Sequence, residues 1–255
     1  MNIFTRLLFE LQEMSLLVAR AAVGVFRKPR YIPETFAQMD SIGVGSMTIV
    51  MLTGFFTGGV LTLQTYQTLA SYGAVDQLGY LVSVSLIREL GPTLTALMVT
   101  GRVVSAISAE LGSMVVSQQI DAMRALGTDP IRKLVTPRIV ALIITLPLLT
   151  LVADALGIIG GWVVSTWLYG LPSSMFISSV RSGIDMDDIV GGVIKPLVFA
   201  FLMGTIACHK GLSTDGGTVG VGRATTSAVV TASIIVIVAD FFLAKALQII
   251  LGTAP

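Results

Sequence analysis

Long apolar runs alternate with short polar segments along most of the chain. Each run is long enough to cross a bilayer, because a helix needs ~20 apolar residues at ~1.5 Å each to span the hydrocarbon. We place five spans at about 43–65, 90–113, 139–168, 189–208 and 224–251. The pattern predicts an all-α polytopic membrane protein, built as one transmembrane domain over residues 1–255.

The first 27 residues carry a helical repeat rather than an unbroken apolar run. Apolar and charged side chains fall on opposite faces at 3.6-residue spacing. The apolar face holds Ile3, Phe4, Leu7, Leu8, Leu11, Met14, Val18, Ala21, Ala22, Val25 and Phe26, and the charged face holds Arg6, Glu10, Glu13, Arg20 and Arg27. We predict an interfacial amphipathic helix within residues 1–30. The alternative is a helix that packs on a soluble partner.

Two GxxxG motifs predict close packing between spans. Gly54 and Gly58 lie in the first span, and Gly157 and Gly161 in the third, and such spacing lets two helix backbones approach. Residues 66–87 are apolar but rich in tyrosine and glycine. We predict short helices there at the outer face, either lining a cavity for an apolar ligand or connecting spans through aromatic anchors.

A polar segment, 114–138, separates the second and third spans. We predict a short cytoplasmic helix at about 117–127, with Ser117 as its N-cap and Gly127 at its C-terminal end. Its apolar positions are Ile120, Met123 and Leu126. Asp129 is predicted to cap a second short turn that begins at Pro130.

Basic residues predict which ends of the spans face the cytoplasm. The segment between spans two and three carries Arg124, Arg132, Lys133 and Arg138. Because cationic loops stay on the cytoplasmic side, the N-terminus is predicted to be cytoplasmic and the C-terminus periplasmic.

Composition excludes several classes of function. The chain is 54% hydrophobic and 12% charged, and its net charge of +1 leaves no basic footprint for nucleic acid. A single His and a single Cys provide no metal site. GxSxG and HExxH motifs are missing, and no lysine follows a glycine, so the chain has no phosphate-binding loop. We predict a non-catalytic protein without a cofactor of its own.

Charged residues inside the predicted spans need a reason, since each costs at least ~2.5–3.5 kcal/mol in hydrocarbon. They are Arg102, Glu110, Asp154, Asp240 and Lys245. One hypothesis is structural, with Arg102 paired to Asp154 and Asp240 paired to a nearby cation. A second is functional, with Arg88, Glu89 and Lys245 forming a polar patch that meets a lipid headgroup. A proton relay through Glu89, Glu110, Asp154 and Asp240 is a third.

Two stretches carry a resemblance to a known family. The run ELGPTLTALMVTGRVVSAISAELGSMVVSQQIDAMRALGTDPIRKLVTPR and the run GRATTSAVVTASIIVIVADFFLAKAL resemble the MlaE/YrbE permeases. These are membrane subunits of bacterial ABC transporters that work with MCE proteins, and the likeness covers essentially the whole chain. It implies an inner-membrane homodimer in a Gram-negative bacterium, with an interfacial helix, five spans and a cytoplasmic coupling helix.

The resemblance also implies partners and a substrate. The expected partners are a cytoplasmic ATPase (MlaF-like) that binds ATP, a STAS-domain protein (MlaB-like) held by that ATPase, and a periplasmic MCE hexamer (MlaD-like). The complex is expected to move glycerophospholipids between the inner membrane and the MCE carrier, and so to maintain outer-membrane lipid asymmetry. A sterol or other lipid importer of the Mce type is the neighbouring alternative.

Site residues follow from the resemblance by position. The lipid-binding residues are expected to be Leu61, Leu69 and Tyr72 against acyl chains, with Arg88 and Glu89 at the polar margin. The ATPase-coupling residues are expected to be Ser117, Gln118, Ile120, Asp121, Met123 and Arg124. Two other functional hypotheses stay open. One is a lipid scramblase or channel that needs no ATPase, and the other is a structural anchor that only holds the MCE ring.

Overall fold

All regular structure in the described part of the chain is helical. The computed structural model describes residues 3–26 and 31–250, without the side chains of residues 3–8, 11, 25 and 26. Its eight helices are α1 (Ile3–Phe26), α2 (Ile32–Tyr72), α3 (Val75–Val116), α4 (Gln119–Ala125), α5 (Ile131–Leu168), α6 (Ser173–Gly183), α7 (Met186–Leu212) and α8 (Gly217–Ile250). The expected positions of Arg27 and of residue 251 lie outside this description.

Five of these helices, α2, α3, α5, α7 and α8, are long and apolar enough to cross a membrane. The prediction of five spans is therefore confirmed, although their boundaries extend past those expected from hydropathy. α2 begins at Ile32, well before residue 43, and its first turn contains Glu34. Acidic side chains stabilise a helix N-terminus, so the helix starts before the apolar run does.

The separate short helices expected over residues 66–87 are wrong. Tyr66 to Tyr72 form the last turns of α2, which ends where Gly73 adopts a φ of +69°. The Ala74 N–H donates to the Leu69 carbonyl at 3.0 Å, so the chain reverses in one turn. A short 3₁₀ turn at Val75–Gln77 then opens α3, so most of the predicted connector belongs to the two spans themselves.

The segment between the third and fourth predicted spans contains helix α6. Its buried residues Phe176, Ser179 and Gly183 are three and four positions apart, which places them on one helical face. Serines and Arg181 occupy many of the other positions and lower the mean hydropathy. The helical repeat in this segment was available in the sequence, but its polar composition obscured it.

The helices contribute to two compact units. Unit 1 comprises residues 1–44, 99–145 and 199–236, and unit 2 comprises residues 45–98, 146–198 and 237–255. In unit 1 the Thr136 hydroxyl donates to the Ala21 carbonyl at 3.3 Å, which ties α1 to α5. Leu17 and Ala21 are buried, so the amphipathic helix predicted at the N-terminus is confirmed as a helix with a buried face. Its position in the membrane interface stays a prediction.

In unit 2 the two GxxxG motifs pack helix α2 against helix α5, as their spacing predicted. A Cβ on Gly54 would lie 2.5 Å from the Ala153 carbonyl oxygen, and one on Gly58 would overlap the Gly157 carbonyl. Gly161 faces the Thr62 hydroxyl from the other helix. Only glycine allows backbones to meet this closely, so these positions set the separation of α2 and α5.

Candidate functional site

A π-helical segment in α3, Leu86–Leu90, carries the two charged residues that begin the candidate site. Its wider turn closes with the Gly91 N–H donating to the Leu86 carbonyl, five residues earlier. Such single-turn bulges are frequent at functional sites. The two charged residues are Arg88 and Glu89, which are adjacent in this segment.

Both side chains are held by ion pairs from α7. The Arg88 guanidinium pairs with the Asp188 carboxylate. Glu89 Oε2 lies 2.5 Å from Lys195 Nζ, and Asp240 of α8 lies 3.1 Å from the same ammonium. Five charged residues on three helices therefore form one network, and Lys195, with a side chain only 2% exposed, is the cation shared by two carboxylates.

Close helix packing makes this network possible. A Cβ on Gly192 would lie 3.0 Å from the Ile87 carbonyl oxygen, so α7 approaches α3 almost backbone to backbone next to the charged residues. The network borders a cavity of about 50 Å³ lined by Arg88, Glu89, Asp187, Asp188 and Lys195 on its polar side and by Ala244 and Leu247 on its apolar side. A cavity that combines a few charges with apolar walls suits the head region of an amphiphile.

The expected pairing of the intramembrane charges is confirmed in one case. Asp240 has its cation in Lys195, as predicted. Asp154 is buried and its Oδ1 has no hydrogen-bond partner among the described residues. Asp154 belongs to unit 2 and Arg102 to unit 1, and their pairing stays a prediction. Arg102 donates through Nη1 to the Ser41 carbonyl at 3.2 Å.

The remaining charges divide between the two units. In unit 1, Glu110 pairs with Arg138 at 2.8 Å, and the Arg138 side chain is 3% exposed, so this arginine is a buried partner and not part of an open cationic loop. In unit 2, Lys245 is exposed on α8 and does not line the cavity. Of the predicted polar patch, only Arg88 and Glu89 are brought together.

Replacing Asp154 tests whether its buried carboxyl has an ionic partner. Its carboxyl occupies the space where a Cβ on Gly91 would lie. Because its Oδ1 has no partner among the described residues, we expect Asp154→Asn to change the free energy of unfolding by less than ~1 kcal/mol, whereas removing one member of a buried pair costs ~3–5 kcal/mol. Thermal unfolding of the purified variant in detergent measures this. A large loss of stability would show that the carboxyl is paired.

The residues expected to contact acyl chains occupy different environments. Leu69 is 8% exposed and belongs to a buried apolar cluster with Leu78, Val82, Leu86 and Phe176. Leu61 packs against that cluster, and Tyr72 is 81% exposed at the end of α2. Their role in lipid binding stays a prediction.

Two aromatic contacts in the same unit were not anticipated from the sequence. Tyr66 stacks on Tyr169 with ring centroids 3.6 Å apart, and the Tyr169 hydroxyl donates to the Leu63 carbonyl at 3.4 Å. Phe176 enters the apolar cluster from α6. The sequence predicts aromatic anchors only over residues 66–87, and the folded chain shows that Tyr66 packs on Tyr169.

The predicted coupling helix is present in unit 1 as α4, with a different start. Ser117 is not its N-cap, because its hydroxyl donates back to the Ser113 carbonyl at 2.8 Å. Gln118 precedes the helix in a left-handed conformation, with a φ of 58°. This residue turns the chain sharply between α3 and α4.

The end of α4 agrees with the prediction. Gly127 has a φ of +75°, and the Thr128 N–H donates to the Met123 carbonyl at 2.9 Å, which closes the helix in a Schellman motif. Asp129 then accepts from the Ile131 N–H at 3.0 Å, as its predicted capping role requires, although the turn it caps is the first turn of α5.

α4 has little contact with the rest of its unit. Ile120 is 4% exposed and anchors the helix, whereas Leu126 at its end is 83% exposed. Asp121 and Arg124 form a 3.1 Å ion pair on the open side, with side chains 72% and 65% exposed. A short, firmly capped helix between two spans thus presents both charge and apolar surface.

Sequence comparison assigns the family. The family model for the permease MlaE matches residues 35–246, which include α3, α4 and the charged network. The chain belongs to the MlaE permease family. The resemblance noted from the sequence is confirmed, and a permease of an ABC transporter requires an ATPase partner.

Several relatives of this MlaE-family chain carry permease names. It is 38% identical over 224 residues to the intermembrane phospholipid transport system permease protein MlaE of Haemophilus influenzae, covering 88% of this chain and 86% of that one. A probable ABC transporter permease of Rickettsia typhi is 38% identical over 227 residues, with 89% and 88% coverage. One from Synechocystis is 42% identical over 210 residues, with 82% and 80% coverage.

Proposed function

We propose that the chain is the permease subunit of an ABC transporter that moves glycerophospholipids between the inner membrane and a periplasmic MCE carrier. The name of the Haemophilus influenzae relative, an intermembrane phospholipid transport system permease protein, supports the substrate. In this proposal the protein lies in the inner membrane of a Gram-negative bacterium, with a cytoplasmic N-terminus and a periplasmic C-terminus. Its activity helps to maintain outer-membrane lipid asymmetry.

The observation that carries the proposal is helix α4. A partner ATPase can move a permease only through a rigid element that it can grip. α4 is closed by hydrogen bonds at its C-terminal end, anchored by Ile120, and exposed over Asp121, Arg124 and Leu126. Exposed charge and apolar surface together suit a helix that docks into a groove of another protein.

The proposed assembly places ATP hydrolysis and lipid movement in separate subunits. Two copies of the chain form a homodimer, two MlaF-like ATPase subunits engage the two α4 helices, an MlaB-like STAS protein binds the ATPase, and an MlaD-like MCE hexamer receives lipid. ATP is bound and hydrolysed by the ATPase. This chain provides the coupling helix, the spans and the lipid site.

The lipid site in this proposal lies in unit 2. The apolar cluster around Leu69 and Phe176 provides surface for acyl chains, and the ion-paired cavity beside Arg88 and Glu89 faces the polar head. The network sets two cations against three carboxylates, so it is slightly negative and suits a zwitterionic headgroup that carries an ammonium. Movement of α4 changes the packing of the spans that follow and precede it, and so releases or admits lipid.

Charge reversal on α4 tests the coupling. In the reconstituted transporter we expect the double variant Asp121→Lys/Arg124→Glu to reduce both ATPase co-purification and lipid-stimulated ATP hydrolysis by about tenfold or more, since mismatched charges at an interface cost several kcal/mol. The matched control reverses two exposed charges of unit 2, Asp76→Lys/Arg181→Glu, and is expected to retain ATPase binding.

Two outcomes would contradict the proposal. Full ATPase binding and full lipid-stimulated hydrolysis in the α4 variant would remove α4 from the coupling pathway. Lipid movement by the purified chain in vesicles without ATPase or nucleotide would instead favour the motor-independent scramblase.

A further inference from the structure

A basic cavity of about 730 Å³ lies in unit 1, and none of its lining residues belongs to the lipid site of the proposed transport cycle. Its walls come from α1 and from the segment that joins α4 to α5. Three arginines line it, Arg20, Arg124 and Arg132, against one carboxylate, Asp129. Because three cations face one carboxylate, the lining of the cavity has an excess of positive charge.

An apolar slot of about 300 Å³ adjoins the basic cavity. Gly24 and Arg132 line both, so the two spaces meet at the end of α1. The slot continues between the start of α2 and the start of α5, along Ile32, Phe36 and Val140. Basic cavity and apolar slot together form one amphipathic groove.

We propose that this groove binds an anionic phospholipid of the surrounding membrane as a resident ligand, apart from any lipid that the protein transports. Its phosphate lies against the three arginines, and one acyl chain lies in the slot. Guanidinium groups suit this role because they bind phosphate oxygens through two parallel hydrogen bonds. Basic pockets between membrane helices at the cytoplasmic surface are known to hold acidic lipid headgroups in this way.

Charge and surroundings favour a lipid over a protein segment. Ile32 is 53% and Phe36 64% exposed, and both lie at the start of a span, where the neighbours of an open side chain are acyl chains. Arg20 is exposed on the charged face of α1. Arg124 forms an exposed pair with Asp121, and such pairs are worth ~0–1 kcal/mol, so its guanidinium can turn to phosphate.

The site has a structural consequence. A lipid held there would touch α1, the end of α4 and the first turn of α5 at once. It would thus brace the short helix α4 against α1. The inference does not depend on the proposed transport, because it needs only a membrane that contains acidic lipid.

Photolabelling of the full-length chain tests the site. The chain is reconstituted in phosphatidylcholine vesicles that contain a phosphatidylglycerol probe with a diazirine on its acyl chain, or the same probe with a phosphatidylcholine head. We expect the phosphatidylglycerol probe to label residues 31–39 or 137–144 preferentially, as read by peptide mass spectrometry. Arg20→Gln/Arg124→Gln should reduce this labelling by about fivefold for each arginine removed.

The controls keep the test decisive. Arg181→Gln removes an exposed arginine of unit 2 and is expected to leave the labelling unchanged. Both site arginines are exposed, and Arg20→Gln alone serves if the double variant fails to fold. Equal labelling by the two probes would overturn the proposal. Unchanged phosphatidylglycerol labelling in the variant would also overturn it.

Discussion

Gly58→Val is expected to prevent stable packing of α2 on α5. The first atom of any side chain at this position would overlap the Gly157 carbonyl oxygen, which belongs to a helix backbone and cannot rotate away. The two helices would have to separate, and Gly54 and Gly160, which face Ala153 and Phe55, would lose their contacts as well. Overpacking of this kind costs ~1–3 kcal/mol and occasionally more, and we expect the upper end here.

The measurement is the yield and the thermal unfolding midpoint of the detergent-purified chain. Gly101→Val is the matched control, because Gly101 is also helical but a Cβ there meets no atom within 4 Å. We expect the control to unfold near the midpoint of the natural chain. If both valine variants were equally stable, close packing at the GxxxG motif would not determine the position of α5.

Lys195→Met is expected to destabilise unit 2 and to abolish transport. The substitution keeps the length of the side chain but leaves Glu89 and Asp240 facing a methyl group in place of the ammonium that both contact. Removing one partner of a buried ion pair costs ~3–5 kcal/mol, because the remaining charges stay desolvated. The unfolding midpoint and the rate of lipid transfer by the reconstituted complex measure the two effects.

A compensated variant separates stability from function. Lys195→Met/Glu89→Gln/Asp240→Asn removes all three charges, and we expect it to recover most of the lost stability but not transport, since Glu89 borders the cavity proposed for the headgroup. Lys245→Met, an exposed lysine on the same helix as Asp240, is the control and should change neither. Recovery of transport together with stability would assign the network a purely structural role.

How far the sequence predicted the fold depended on whether each signal was local. Gly127 was correctly expected to end α4, because a residue with positive φ is needed there and glycine adopts it without strain. Ser117 was wrongly expected to start the helix, because Gln118 makes the turn in a left-handed conformation. Glutamine rarely adopts that conformation, so the residue type did not predict it. Helix α6 was missed because its serines conceal the spacing of Phe176 and Gly183.

For the candidate site, too, the sequence predicted the residues with a local signal and missed those whose role depends on packing. Arg88 and Glu89 were singled out because charges in an apolar segment are expensive, and the structure brings them into one network. Asp188 and Lys195 were not among the charges singled out from the sequence. Their burial in the network, with side chains 1% and 2% exposed, depends on where α7 packs.

The sequence by itself determined that this is a five-span membrane protein with close-packed glycine faces and an exposed helix between spans two and three. Those properties follow from length, hydropathy and local backbone preference, which each segment carries alone. Only the tertiary structure decided which charges meet. Depth along a span can be estimated from sequence, and by depth alone Lys195 and Lys245 were both suitable partners for Asp240, which pairs with Lys195. Pairing also requires the two helix faces to point at each other, and that rotation is set by packing with neighbours distant in the chain.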